Sequence, residues 1–172
     1  MEARRDLFKD KAAGAPFTVY VYGKQWATRS YAVQPGGSVK DSFPLDLFEN
    51  NNYHIRIDGP NGFMREYRGT AADPLAVDIG YDKAMNGNIV VNIVSNSNTS
   101  NIEIVDNAYG QKKEIISLGK KTIVSTSIDL AKSSGWYDST LRVGDFEFRF
   151  AGRVEIGRDS ITDPALDTFV SG

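Results

Sequence analysis

The sequence predicts an all-β fold, and three observations carry the prediction. Short alternating or β-branched stretches recur at close intervals. Turn residues separate them. No stretch holds apolar residues at i, i+3, i+4 and i+7 through three helical turns. The nearest helical candidates, Leu45–Glu49 and Asp129–Ser133, are each about one turn long.

Residues 17–22, Phe-Thr-Val-Tyr-Val-Tyr, alternate and stop at Gly23. Tyr53, Ile55 and Ile57 fall on one strand face, and His54 and Arg56 on the other, because side chains alternate along a strand. Asp58-Gly59-Pro60-Asn61-Gly62 is a turn, and Phe63–Arg68 resumes the strand. Residues 53–68 therefore read as a β-hairpin with a longer loop. Residues 76–81 and 88–94 read as a second hairpin across Asp82–Gly87. Further strands are expected at 101–108, 111–118, 121–130, 137–143 and 145–156, with Lys112-Lys113 and Lys120-Lys121 bracketing a hairpin.

The chain also repeats itself. Ser38–Phe43 aligns with Ile123–Ile128, pairing Val39 with Val124 and Phe43 with Ile128. Tyr53 then matches Tyr137, and Phe63 matches Phe146. The pattern Phe-x-x-x-aromatic-x-Gly closes both copies, as Phe63, Tyr67, Gly69 and as Phe146, Phe150, Gly152. Upstream, Leu7-Phe8 and Phe17–Gly23 match Ile93-Val94 and Ile102–Gly110. The chain is thus expected to hold a first repeat at 1–72 and a second at 73–172 with a C-terminal tail. The second copy has about seven strands with turn signals between them, which suggests an immunoglobulin- or fibronectin-III-like β-sandwich. The first lacks an N-terminal edge strand equivalent to 75–81, so Met1 is expected close to a cut in a longer protein. Tyr53 and Tyr137 start equivalent strands, the position at which a sandwich tyrosine packs at a corner and bonds backbone through its hydroxyl.

Composition narrows the function classes. With 172 residues, 41% hydrophobic and 24% charged, the chain can fill a core. A net charge of -2 argues against a nucleic-acid partner. The absence of cysteine excludes disulfides, thiol catalysis and Cys-ligated zinc, and a single histidine excludes any site needing two.

His54 is that histidine. It sits on a polar strand face without a Gly-x-Ser-x-Gly nucleophile motif, and reads as a surface residue. Gly36-Gly37 and the Gly59/Gly62 turn lack the Lys-Ser/Thr of a phosphate-binding loop and read as turns. Glu155, Asp159, Asp163 and Asp167 recur every four residues and could offer oxygens to calcium. Gly157 and Pro164 interrupt any helix that would align them, so a solvated tail, or pairing with Arg153 and Arg158, is the expectation. No metal and no cofactor are expected. Trp26, Tyr31, Phe48 and Trp136 could form a platform for a sugar or lipid headgroup, although aromatics at strand positions more often build core.

Several stretches resemble the paired C-terminal domains of bacterial phosphocholine-preferring phospholipases C, of non-haemolytic and haemolytic type. They are Gly14–Tyr20, the segment from Tyr53 through Gly59-Pro60-Asn61-Gly62-Phe63 to Arg68-Gly69, Gly135–Asp138, and Ala151–Pro164 with its closing Asp163-Pro164. The resemblance implies a secreted or periplasmic enzyme with a large alkaline-phosphatase-like catalytic domain upstream. That domain would hold the nucleophile and metal ligands, and no catalytic residue carries over onto this chain. The expected function is a non-catalytic accessory module. Its partners would be the N-terminal catalytic domain and a phospholipid surface. The alternative is an independent sandwich that binds carbohydrate or lipid headgroups, with Trp26, Tyr31 and Trp136 as its candidate binding residues. The motif residues Tyr53, Gly59, Pro60, Gly62, Phe63, Gly69, Tyr137, Phe146, Gly152, Asp163 and Pro164 are expected to be structural.

Overall fold

Alternation decides which side of each strand is buried. In β1 (Ala15–Tyr22), Phe17, Val19 and Val21 are buried, and the residues between them face the other way. β11 (Phe146–Arg153) repeats the pattern with Phe146, Phe148 and Phe150. The computed structural model describes residues 1–3, 9–82, 84, 86–95, 101–119, 122–156 and 161–169. Between β1 and β11 lie β2 (Trp26–Val33), β3 (Tyr53–Asp58), β4 (Met64–Gly69), β5 (Leu75–Tyr81), β6 (Ile89–Ser95), β7 (Ile102–Asp106), β8 (Glu114–Ile116), β9 (Ile123–Ile128) and β10 (Trp136–Val143). The fold is all-β, with short 3-10 turns at Leu45–Leu47 and Ala131–Ser133 where one helical turn was expected.

The strands form an eight-stranded sheet, ordered β2-β1-β3-β4-β11-β10-β7-β8, and a three-stranded sheet, β5-β6-β9. Together they make a sandwich-like arrangement. The two hairpins read from the sequence are present: β3 pairs with β4 from Tyr53–Gly69 to Asp58–Met64, and β5 pairs with β6. The hairpin expected between the two lysine pairs is not. β8 pairs with β7 in the large sheet, whereas β9 pairs with β6 in the small one. Between β8 and β9 the chain therefore passes from the large sheet to the small one, where Ile128 joins the core. Lys120 and Lys121 lie outside the described residues.

One core cluster fills the second half, where Ile89, Val91 and Ile93 of β6 meet Ile102, Leu141, Phe148 and Phe150 of the large sheet. The first half is covered differently. Phe48, 1% exposed, packs on Val19 and Val21 from an irregular segment, and Ala3 packs with Phe17 and Val33. A single bridge, Glu2–Ser38, runs beside these, with the Ala3 N–H donating to Gly37 O at 3.0 Å and the Val39 N–H to Met1 O at 2.9 Å.

The two halves meet through their last strands. β4 and β11 pair antiparallel, placing Arg68 opposite Glu147, Tyr67 opposite Phe148, Glu66 opposite Arg149, Arg65 opposite Phe150 and Met64 opposite Ala151. The Tyr67 and Phe148 rings stack at 4.6 Å across this join.

Candidate functional site

Directly opposed residues of antiparallel strands share a face, so the pairing register traces rows across the large sheet. The face away from the core carries Thr28, Tyr20, Arg56, Glu66, Arg149 and Thr140 in one row, from β2 to β10. A neighbouring row begins with the opposed pair Trp26 and Tyr22, and from β3 onward carries His54, Arg68, Glu147 and Arg142. Polar and aromatic side chains therefore share this face along both rows, with Glu66 and Thr140 buried among them.

Their charges are paired. His54 Nε2 lies 2.6 Å from Glu66 Oε1, and Arg68 donates to the same oxygen at 2.9 Å. Burial pushes the Glu66 carboxyl up, but the hydrogen bonds from His54 and Arg68 outweigh it and hold it below the usual carboxylate range. Arg56 donates to Asp58 at 2.8 Å, and Arg142 to Glu147 at 2.9 Å. Arg149 grips Asp138 with two bonds of 2.9 and 2.6 Å. Asp138 is likewise pushed up by burial and pulled down further by Arg149 and Asn107.

The aromatic end of this face is built by β2, β1 and β3. Trp26 is 65% exposed, with its ring 6.4 Å from Tyr20 at 32°. Tyr22, 39% exposed, stacks on His54 at 4.1 Å and 19°.

The four aromatics named from sequence do not form one platform. Tyr31 lies five positions from Trp26, an odd number that puts it on the opposite face of β2, where it donates to Asp41. Phe48 is core. Trp136 lies five strands from Trp26 in the sheet order, wedged against the Gly62 turn, its Nε1–H donating to Ile161 O at 3.2 Å. Of the four only Trp26 is strongly exposed; its neighbours are Tyr20 and the opposed Tyr22, and Tyr22 in turn stacks on His54. The sequence signal for them was the even spacing of Tyr20 and Tyr22 opposite the Val19/Val21 core side.

Gly62, Phe63, Tyr137 and Gly152 gather at the join between the halves. Gly62 has φ +69°, and a Cβ there would stand 3.0 Å from the Trp136 ring. Phe63 packs edge-on to Phe17 at 5.6 Å and lies under the Arg65 guanidinium at 4.4 Å. Arg65 donates to Met64 O at 2.8 Å, to Ala151 O at 2.9 Å and to the Tyr137 hydroxyl at 3.1 Å, tying the two final strands together. The Tyr53 and Tyr137 rings cover Gly69 and Gly152, their cross-strand partners: at either glycine a Cβ would come within 2.8 Å of the tyrosine oxygen. The expected backbone bond from these tyrosines is replaced by side-chain partners. Tyr53 donates to Asp73 and Tyr137 accepts from Arg65, because the glycine opposite leaves the hydroxyl over the neighbouring strand end. Phe146 is buried, and Asp163 accepts from the Tyr109 hydroxyl at 2.9 Å and from the Ala165 N–H at 2.9 Å, just before Pro164. Glu155 accepts from Arg153 at 3.0 Å and from Asn61 at 3.3 Å. Arg158 and Asp159 lie outside the described residues, as does the side chain of Asp167.

The family model described as bacterial phospholipase C, C-terminal domain, matches residues 3–70. A non-hemolytic phospholipase C of Burkholderia pseudomallei is 32% identical over 166 residues, covering 91% of this chain and 23% of that protein. A non-hemolytic phospholipase C of Pseudomonas aeruginosa is 31% identical over 170 residues, covering 90% of this chain and 24% of that protein. The hemolytic phospholipase C of the same organism is 30% identical over 142 residues, covering 77% of this chain and 20% of that protein. The chain spans less than a quarter of the length of each of these curated relatives.

Proposed function

Because this chain belongs to the family of bacterial phospholipase C C-terminal domains, we propose that it is the non-catalytic accessory module of a secreted, phosphocholine-preferring phospholipase C. Its repeats, 1–72 and 73–172, act together as one platform for the upstream catalytic domain. The observation that carries this reading is the outer face of the eight-stranded sheet, on which Arg142–Glu147 and Arg149–Asp138 are paired across β10 and β11. A bilayer rich in anionic lipid calls for unpaired basic residues. A face whose charges are already matched suits a protein surface that docks with little net charge to desolvate.

The test adds this chain in trans to the upstream part of its parent enzyme. A rise in that part's melting temperature, or in its hydrolysis of phosphatidylcholine, supports the module, and no change in either overturns it. The chain alone is expected to leave phosphatidylcholine intact, and metal-dependent turnover by it would sink the non-catalytic role.

A second reading, an independent ligand-binding sandwich, is favoured by one observation: Trp26 stands exposed beside Tyr20 and Tyr22.

A further inference from the structure

Strand parity fixes the position of Trp26. It shares the open face of β2 with Thr28 and Ser30, while Tyr31 and Val33 point to the core side, so no rotamer of Trp26 reaches the core. Two features then define its surroundings. β2 ends the sheet order, so among the described residues no further strand lies beyond Trp26, while Tyr20 flanks it on the inner side. Next in the row, the Tyr22–His54 stack leads to Glu66 and Arg68, with Arg56 and Asp58 alongside. The patch runs over β2, β1, β3 and β4, three inter-strand spacings of ~4.8 Å, or about 14 Å.

The chemistry of this patch selects a class of ligand. An exposed indole offers an apolar face, which suits the axial C–H side of a sugar ring. The polar groups beside it come as donor–acceptor pairs, Arg56 with Asp58 and Arg68 with Glu66, and each guanidinium uses only part of its five N–H donors in its pair. Two arginines balance two carboxylates, so a phosphate or sulfate gains little net attraction here. A neutral polyhydroxylated chain finds donors, acceptors and a stacking surface within the same span. Resting on the second reading above, we propose that the β2–β1–β3–β4 part of the open face binds a neutral glycan chain, with Trp26 as the stacking residue and Arg56 and Arg68 as hydroxyl donors.

Affinity electrophoresis of the 172-residue chain tests this, through native gels cast with barley mixed-linkage β-glucan, guar galactomannan or dextran sulfate. The expected result is retardation in at least one neutral gel, with Trp26→Ala weakening it at least tenfold. Two measurements guard against misfolding: the Trp26→Ala melting temperature should match that of the parent chain, and the tryptophan emission of the parent chain should shift when the retarding polysaccharide is added in solution. Mobility unchanged in both neutral gels, retardation unaffected by Trp26→Ala, retardation by dextran sulfate alone, or a preference for phosphatidylcholine vesicles in flotation would each overturn the assignment. The trans addition to the catalytic part reads the accessory role separately, so loss of glycan binding with that rescue intact leaves the module standing.

Discussion

The two halves of the chain share a strand pairing and differ in what covers it. Each sets a tyrosine over the glycine opposite it, Tyr53 on Gly69 and Tyr137 on Gly152. In the second half a three-stranded sheet closes the core, and Tyr137 is 5% exposed. In the first half the cover is an irregular segment holding Phe48, and Tyr53 is only partly buried. The same tyrosine-over-glycine contact thus stands beneath unlike second layers, because both pairs belong to the one large sheet.

Core truncation should break this comparison most strongly. Phe150→Ala, at a fully buried position under the small sheet, is expected to cost about 4 kcal/mol, and Phe48→Ala about 3 kcal/mol because a loop can partly collapse into the gap. Urea denaturation measures both, and a larger loss for Phe48→Ala would reverse the ranking of the two covers.

The glycines come next. Gly152→Ala meets the fixed Tyr137 ring, with its Cζ also at 3.1 Å, and is expected to cost about 3 kcal/mol. Gly69→Ala meets the ends of the Tyr53 and Asp73 side chains, which can swing aside, at about 1 kcal/mol. Equal losses in thermal unfolding would mean that the first-half cradle is as rigid as the second.

Arg65→Ala removes three hydrogen bonds, two of them across the join to Ala151 and Tyr137, and should cost about 2 kcal/mol. Hydrogen exchange should then rise in β4 and β11 before it rises in β6. Protection lost first in β6 would mean that the halves are not held at this seam.

Acid sharpens the comparison more gently. Glu66 in the first half and Asp138 in the second both sit below the usual carboxylate range. Each therefore stabilises the fold above its unfolded pKa, and that stabilisation is lost as pH falls through the folded value, within roughly pH 5 to 2. Glu66→Gln and Asp138→Asn should each make the acid limb of stability against pH shallower. An unchanged slope in either variant would remove that carboxylate from the account. The smallest expected effect is Trp26→Ala, within about 0.5 kcal/mol in urea denaturation.

Much of this was legible in the residues. Alternation in 17–22 and 53–68 located β1, β3 and β4. Three things were not legible. The β4–β11 join links strands far apart in the chain, and no local period records which strand a sheet edge chooses. The hairpin expected between the two lysine pairs failed because two adjacent strands with turn residues between them look alike whether they pair or cross to opposite layers. Trp26 reads like a core aromatic, since its exposure depends on β2 being the last strand of the sheet.

The register at the seam has one more consequence. The offset that carries Phe63 to Phe146 and Gly69 to Gly152 also carries Glu66 to Arg149, and these two residues face each other across β4 and β11. They sit on a local two-fold axis, where a residue meets its own counterpart. Two identical copies joined by this edge would set glutamate against glutamate or arginine against arginine, which is unfavourable, whereas the pair here is of opposite sign, worth roughly 0.2–1 kcal/mol. Opposite charges make the β4 and β11 edges better partners for each other than for copies of themselves, and so favour a closed intramolecular pair over an open chain of like units.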